Sequence, residues 1–290
     1  CLVGSEMCIR DRARGWAMER LQGTRSDGTR FPIIDFPDVR RLLMLMKSGA
    51  EAMRGLAYVA SAEIDRSRLS KDADEKARHG ARVDLYTPIV KGWLTELSQE
   101  LTSHGIQVHG GMGYIEETGS AQFYRDARIT TIYEGTTAIQ ANDLVGRKTL
   151  ADGGEALSAL LDEIRQTAGQ LAEAEGLSGL GEALAAGVAA GEAARDWLLA
   201  HAAESRDVGG AAGVNLLMLL GYVCGGWVMG ASALKASKHL AAGTGDAQFL
   251  EAKLATARFY AEHYLPRADA HSAAVQAGPD SIMALSAEQF

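Results

Sequence analysis

Cysteine is scarce in this 290-residue chain, and the few cysteines present suggest no pairing. Cys1, Cys8 and Cys224 contain no CxxC motif and leave an odd count. This usage argues against a disulfide framework and against a cysteine-based zinc site. A reducing compartment fits it best, so we expect a cytoplasmic protein.

Positive charge is also in short supply. The formal net charge is -8, and the acidic excess lies in the second half: residues 1–149 carry 21 Lys+Arg and 20 Asp+Glu, whereas residues 150–290 carry 8 and 17. Affinity for nucleic acid depends on Lys and Arg side chains that meet phosphates. We therefore expect no nucleic-acid partner.

Several motifs of known enzyme classes are absent from the sequence. His104 and His109 are five residues apart, which is off a single helical face, and no HExxH motif occurs. Ser103 and Ser120 lie outside any GxSxG elbow. The stretch "HGGMGY", residues 109–114, has neither the GxGxxG spacing nor the Lys-Ser/Thr pair of a P-loop. We expect no metal centre, no serine nucleophile and no Rossmann turn.

Strand-like alternation is nearly absent, whereas apolar residues recur at helical steps of three and four. Such stripes run through residues 39–64, 90–101, 157–171, 180–188 and 249–264. We expect the second helix to end near His104–Gly105, because glycine is the usual C-terminal cap. The stretch "LADGGE" interrupts the pattern near residues 149–154, and the chain is long enough for two cores. The sequence thus predicts an all-α protein with helical domains at residues 13–150 and 151–290.

Residues 214–234 form a long uncharged run that could also span a bilayer. Its glycines stand at GxxxG spacings, which suit close helix crossings in membranes and in buried cores alike. There is no second span, no aromatic belt at both ends and no polybasic flank. We therefore predict a central buried helix and no membrane span.

The stretch "YEGTTAIQ", residues 133–140, carries the candidate catalytic group. Gly135 breaks the chain, and Thr137 with Gln140 has the spacing of a capping box that opens a helix. Glu134 therefore stands just before a helix N-terminus, between an aromatic ring and a residue without a side chain. Such a carboxylate could act as a base at a cavity wall, or it could be an ordinary solvated loop residue.

A family resemblance favours the first of these interpretations. The glutamine, the double glycine, "RDAR" and "YEGT" within residues 105–148 resemble, in order and spacing, the C-terminal signature of the acyl-CoA dehydrogenases. The resemblance extends to "AMERLQG" at residues 17–23 and "PDVRRLLM" at residues 37–44. Residues 246–266 resemble the extra helical domain of the longer bacterial members, including those that act on 3-methylmercaptopropionyl-CoA. Nearly the whole chain after residue 13 is covered.

The resemblance implies an FAD-dependent α,β-dehydrogenation of an acyl-CoA thioester. Glu134 would be the base that takes the α proton, while a hydride leaves the β carbon for flavin N5. A backbone N–H at the glutamate would help to polarise the thioester carbonyl. Tyr133 and Gly135 would line the acyl pocket.

The resemblance also assigns five residues to FAD. Three match family positions near the adenosine diphosphate of an FAD held largely by a partner subunit, one matches an arginine near the pyrophosphate, and one follows the base. These residues are Gln107, Gly110, Gly111, Arg20 and Thr136. The implied partners are the acyl-CoA substrate, an electron-transfer flavoprotein and further copies of the chain in a homo-oligomer.

Two features suggest that the chain is a fragment. Residues 1–12, "CLVGSEMCIRDR", resemble translated sequencing-adapter read-through, so we expect the natural protein to begin further upstream. The family's N-terminal helical domain and middle β domain have no counterpart here, so we expect the fragment alone to be inactive. An acyl-CoA oxidase-like enzyme and a non-catalytic helical module that binds CoA or a protein remain the alternatives.

Overall fold

The structure, a computed structural model of the chain, describes residues 5–290; the first four residues of the adapter-like segment 1–12 lie outside the described residues. It is almost wholly helical, which confirms the all-α prediction. The elements are α1 (Ser5–Glu19), β1 (Leu21–Thr24), β2 (Arg30–Pro32), α2 (Pro37–Leu69), α3 (Ala73–His109), α4 (Gly111–Tyr114), α5 (Ser120–Ile129), α6 (Thr137–Val145), α7 (Glu155–Glu173), α8 (Ser178–His201), α9 (Arg206–Ala241), α10 (Ala247–His263) and α11 (Arg267–Gln276).

A small hairpin follows α1 and was not predicted. Strands β1 and β2 pair antiparallel, and Phe31 packs so close to Gly23 that a Cβ there would lie 2.0 Å from the ring. In the connecting turn, Asp27 Oδ1 accepts a hydrogen bond of 2.9 Å from Thr29 N, and Gly28 has φ 84°. The Asp-Gly pair is a recognised turn signal, but strands of four and three residues are too short to show alternation.

The prediction that the second helix ends near His104–Gly105 is wrong. Helix α3 continues to His109, and Gly110 follows it with φ 62° and ψ -143°. Gly105 is helical because α1 crosses α3 at this point: a Cβ on Gly105 would lie 2.2 Å from Ile9 Cγ1. The glycine makes room for a neighbouring side chain and does not terminate the helix.

Helix α1 begins inside the adapter-like segment. Ile9 is fully buried in a small cluster with Ala13, Ala17, Met46 and Val108. The origin of residues 1–12 stays a prediction, whereas the packing of α1 against α2 and α3 is a property of the structure.

Helix α9 is the centre of the molecule, as predicted for residues 214–234. It contacts α2, α3, α6, α7, α8, α10 and α11. Its glycines lie at crossings: a Cβ on Gly221 would lie 2.0 Å from Trp93 Cγ, and one on Gly226 would lie 2.6 Å from Leu265 Cδ2. It is also the one helix within residues 5–290 that is long and apolar enough to cross a membrane, and 67% of its apolar window is buried.

The main hydrophobic core runs across the predicted boundary at residues 149–154. One cluster of buried side chains extends from Leu45 on α2 to Val275 on α11. Tyr264 Oη donates a hydrogen bond of 3.0 Å to Leu45 O and so joins the two ends of this core. The division into domains at residues 13–150 and 151–290 therefore stays a prediction.

Candidate active site

The candidate base lies in a strained loop between α5 and α6. Glu134 has φ 54° and is the one non-glycine residue with a left-handed backbone within residues 5–290. Gly135 follows it with φ 87°. A left-handed conformation at a residue with a side chain costs about 1–2 kcal/mol and is found most often at functional sites.

Three hydrogen bonds hold the part of this loop around Glu134 and Gly135. Gln140 Nε2 donates to Glu134 O at 3.1 Å, and Lys91 Nζ donates to Gly135 O at 2.5 Å. The backbone N–H of Thr137 donates to Thr131 O at 3.2 Å. The carbonyl groups of both left-handed residues, Glu134 and Gly135, therefore accept hydrogen bonds from side chains that lie outside the loop.

The start of α6 differs from the predicted capping box. Thr136 is the N-cap, with φ -62° and ψ 166°, and its Oγ1 accepts a hydrogen bond of 3.4 Å from Ile139 N. Thr137 is the first helical residue, and its Oγ1 donates to Glu96 Oε1 on α3. Since Gln140 is one position beyond the third residue of the helix, it cannot close a box and bonds to Glu134 O instead.

The Glu134 side chain is exposed beside free backbone donors. Its carboxylate makes no hydrogen bond or ion pair with the described residues. The N–H groups of Glu134, Gly135 and Thr136 likewise donate to no residue that the structure describes. Tyr133 is 42% exposed next to them. The loop thus offers a carboxylate and backbone donors to a ligand.

Lys91 supplies positive charge behind the loop. Burial lowers its pKa, while the nearby charges of Glu134 and Glu96 act in the opposite direction. The Lys91 ammonium, which is on α3, therefore lies near two carboxylates, that of Glu134 in the loop and that of Glu96 on α3. Sequence reasoning missed Lys91 and Glu96, because on α3 they look like ordinary polar residues of an amphipathic helix.

The predicted FAD residues fall into two places. Four of them, Arg20, Gln107, Gly110 and Gly111, line one groove of about 730 Å³ between the end of α1, the start of α2 and the end of α3. Thr136 does not line this groove. The structure therefore brings four of the five predicted residues together.

The groove has an aromatic and apolar wall that sequence reasoning missed. Trp16 and Phe36 line it, and the Trp16 ring stacks on His109 with 5.5 Å between centroids. Trp16 lies on α1 four residues before Arg20, which directly follows the helix, and the Arg20 N–H donates to Trp16 O at 2.9 Å. That spacing was the available signal.

Two family models match the chain. The model described as "Acyl-CoA dehydrogenase, C-terminal domain" matches residues 3–149, which is half of the chain. The model described as "Acetyl-CoA dehydrogenase C-terminal like" matches residues 140–286.

Curated relatives match almost the whole chain. It is 43% identical over 280 residues to 3-methylmercaptopropionyl-CoA dehydrogenase of Ruegeria pomeroyi, covering 94% of this chain and 47% of that protein. It is 32% identical over 292 residues to the broad-specificity linear acyl-CoA dehydrogenase FadE5 of Mycobacterium tuberculosis, covering 95% and 48%. The chain thus spans about half the length of these relatives.

A solved structure shares the fold. The acyl-CoA dehydrogenase of Bacillus anthracis, crystallised with FAD, superposes with a TM-score of 0.72 at 19% identity, covering 94% of this chain and 46% of that one. This likeness shows the fold, and the family model that matches half of the chain shows that the chain belongs to the acyl-CoA dehydrogenase family.

Proposed function

We propose that this chain is the C-terminal part of a flavoenzyme that desaturates an acyl-CoA thioester, with Glu134 as the general base. The observation that carries the proposal is the left-handed backbone of Glu134, which presents an unpaired carboxylate beside unpaired N–H groups. The sequence relatives supply the substrate class, since both are named as acyl-CoA dehydrogenases.

The loop accounts for the proton half of the reaction. A Glu134 carboxylate oxygen takes the proton from the α carbon, and the C–H electron pair moves toward the thioester carbonyl. The Glu134 N–H donates a hydrogen bond to the carbonyl oxygen and stabilises its developing negative charge. The chemistry that FAD supplies when bound is acceptance of a hydride from the β carbon, so the substrate loses one proton and one hydride and gains a double bond.

The groove lined by Arg20, Gln107, Gly110 and Gly111 suits the adenosine diphosphate part of FAD. The Arg20 guanidinium makes no hydrogen bond or ion pair with any described residue, so it can meet a phosphate. No atom lies within 4 Å of a Cβ built on Gly110 or Gly111, so both glycines leave open space for the ligand. Trp16 and Phe36 offer apolar surface to a nucleoside.

We further propose that the FAD is shared between copies of the chain in a homo-oligomer. Thr136 beside the base and Arg20 in the groove would then contact two different flavins. An electron-transfer flavoprotein is the proposed acceptor, and the cytoplasm is the proposed location.

The test uses a full-length enzyme made by joining this chain to the N-terminal half of the Ruegeria pomeroyi relative. We expect Glu134→Gln to bind FAD and acyl-CoA while flavin bleaching, followed without oxygen, slows by about 100- to 10,000-fold. Glu134→Asp should retain partial activity, because its carboxylate survives but is displaced by one methylene.

The matched control is Glu173→Gln at the exposed end of α7, which should bleach at the parental rate. Bleaching of Glu134→Gln at the parental rate would show that the base lies elsewhere. Oxygen consumption by the parental enzyme with no added acceptor would favour the oxidase alternative.

A further inference from the structure

We propose that Lys91 is a positioning residue for Glu134: its ammonium holds the Gly135 carbonyl and thereby fixes the direction of the catalytic carboxylate. This inference rests on the proposed function, in which Glu134 is the base. It assigns a role to a residue of α3 that lies 44 positions before the loop it contacts.

The hydrogen bond of Lys91 is the link between α3 and the left-handed turn. Nζ donates to Gly135 O at 2.5 Å from a half-buried position. An ammonium that donates to a carbonyl makes a charge-assisted bond, which is stronger than a bond between neutral groups. The side chain also carries its charge toward Glu134 and Glu96.

The turn needs such a restraint because its conformation is unfavourable in isolation. Glu134 at φ 54° would relax to negative φ if nothing held it. Its own carbonyl is held by Gln140, and the next one by Lys91. The two successive peptide planes on either side of Gly135 are thus held, and the first of them carries the Cα of Glu134.

The same restraint also orients the backbone donors. In a trans peptide the N–H points opposite to the C=O. When Lys91 and Gln140 hold the carbonyls of Gly135 and Glu134, the N–H groups of Thr136 and Gly135 are turned to the other side. Loss of Lys91 would therefore disturb one of these donors together with the carboxylate.

Glu96 connects this contact to the start of α6. Its Oε1 accepts from Thr137 Oγ1, and its charge acts on Lys91. Helix α3 therefore contacts the loop at Gly135 and the first residue of α6 at Thr137. An ordinary solvated lysine would have no contact with either.

The test compares Lys91→Met with Lys91→Arg in the joined full-length enzyme. Methionine keeps an unbranched side chain but has no hydrogen-bond donor and no charge, whereas arginine has N–H donors and a positive charge. We expect Lys91→Met to slow flavin bleaching about 10- to 100-fold with little change in KM for acyl-CoA, because the reacting groups are misplaced and not removed. Lys91→Arg should recover part of the rate.

The control is Lys71→Met in the turn between α2 and α3, where the side chain is exposed. It should leave both kcat and KM unchanged. In a Glu134→Gln background, Lys91→Met should cause no further loss, because a residue that acts through Glu134 has nothing left to position.

A second measurement needs no catalysis. In the 290-residue chain, Lys91→Met should speed hydrogen exchange at the Thr137 and Ile139 amides at least several-fold, while Lys71→Met should not. This measurement decides the question if the full-length variant is poorly folded.

Each outcome bears on one of the two proposals. If Lys91→Met bleaches flavin and exchanges its amide hydrogens at the parental rates, while Glu134→Gln bleaches slowly, Lys91 has no positioning role. An equal loss from Lys91→Met with and without the Glu134 carboxylate also overturns that role. Parental bleaching in Glu134→Gln overturns the proposed function itself.

Discussion

Arg267 and Glu100 form a two-pronged ion pair between α11 and α3, with Nη1–Oε2 at 2.6 Å and Nη2–Oε1 at 2.8 Å. Burial raises the pKa of Glu100, but hydrogen bonds from Arg267 and His104 outweigh it and lower the pKa to about 2. The pair is therefore ionised over the whole range in which proteins are usually handled, and it ties the C-terminal helices to the first half of the chain.

The Glu100 pKa predicts a pH-dependent stability. Because the folded pKa lies below the ordinary value of 4.5, the stabilisation is complete above that pH and is lost as the pH falls toward 2. We expect Glu100→Gln to lose on the order of 3 kcal/mol of unfolding free energy at pH 7, and the difference from the parent to narrow below pH 4.5. Urea unfolding at pH 7, 4.5 and 3 measures it.

The exposed pair of Arg125 and Glu116 is the control for this prediction. It has the same two-pronged geometry, at 2.7–2.8 Å, but lies on the surface. Glu116→Gln should change the unfolding free energy little at any of the three pH values. If the difference in unfolding free energy between Glu100→Gln and the parent is the same at all three pH values, the lowered pKa of Glu100 is contradicted.

Gly226 at the crossing of α9 with Leu265 predicts a steric effect. A Cβ there would already lie 2.6 Å from Leu265 Cδ2, so Gly226→Leu should overpack the core and lower the unfolding free energy by about 1–3 kcal/mol or more. Gly210→Leu on the same helix is the control, because nothing lies within 4 Å of its Cβ. It should be neutral or slightly stabilising. Equal losses in both variants would exclude a packing origin.

Arg20 predicts a specific effect on flavin retention. In the full-length enzyme, Arg20→Gln should weaken FAD binding about tenfold or more, since it removes a charge-assisted contact to a phosphate. Arg14→Gln, on α1 and outside the groove, should retain FAD. Flavin absorbance per chain after gel filtration measures the effect. Full FAD content in Arg20→Gln would show that the groove has another ligand.

Tyr264 predicts a small loss of stability from one buried hydroxyl. Tyr264→Phe removes the donor to Leu45 O and should lower the unfolding free energy by about 0.5–1.5 kcal/mol. Tyr58→Phe is the comparison, because that side chain is 67% exposed, and it should change the unfolding free energy by less than about 0.5 kcal/mol. Denaturant unfolding of the 290-residue chain gives both values. If Tyr264→Phe has the unfolding free energy of the parent, the Tyr264 hydroxyl contributes nothing to stability.

The sequence was informative where structure depends on near neighbours along the chain. Helical periodicity located α2, α7, α8, α10 and part of α3. The uncharged run located α9, and "YEGTT" placed Glu134 just before a helix. The contacts that shape the site join distant positions, as Lys91 and Gly135 do, and periodicity carries no information about which helices meet. Gly105 was misread for the same reason, since its role depends on Ile9 in another helix.

The assignment of FAD residues came from family resemblance and not from any pattern in the residues themselves. Arg20, Gln107, Gly110 and Gly111 all line one groove, although α2 and most of α3 separate Arg20 from the other three along the chain. Only a tertiary arrangement could bring Trp16 and Phe36 to the same place. The role of Thr136 toward FAD stays a prediction.

The hydrogen bond from Tyr264 to Leu45 spans 219 positions and has a consequence for biosynthesis. When α2 and α3 leave the ribosome, the helices that cover their apolar faces have not yet been translated. At about 5–20 residues per second, the nascent chain would expose these faces for roughly ten seconds or longer before α9 and α10 emerge. The first half of the chain is therefore a natural client for chaperones that shield apolar surface during synthesis.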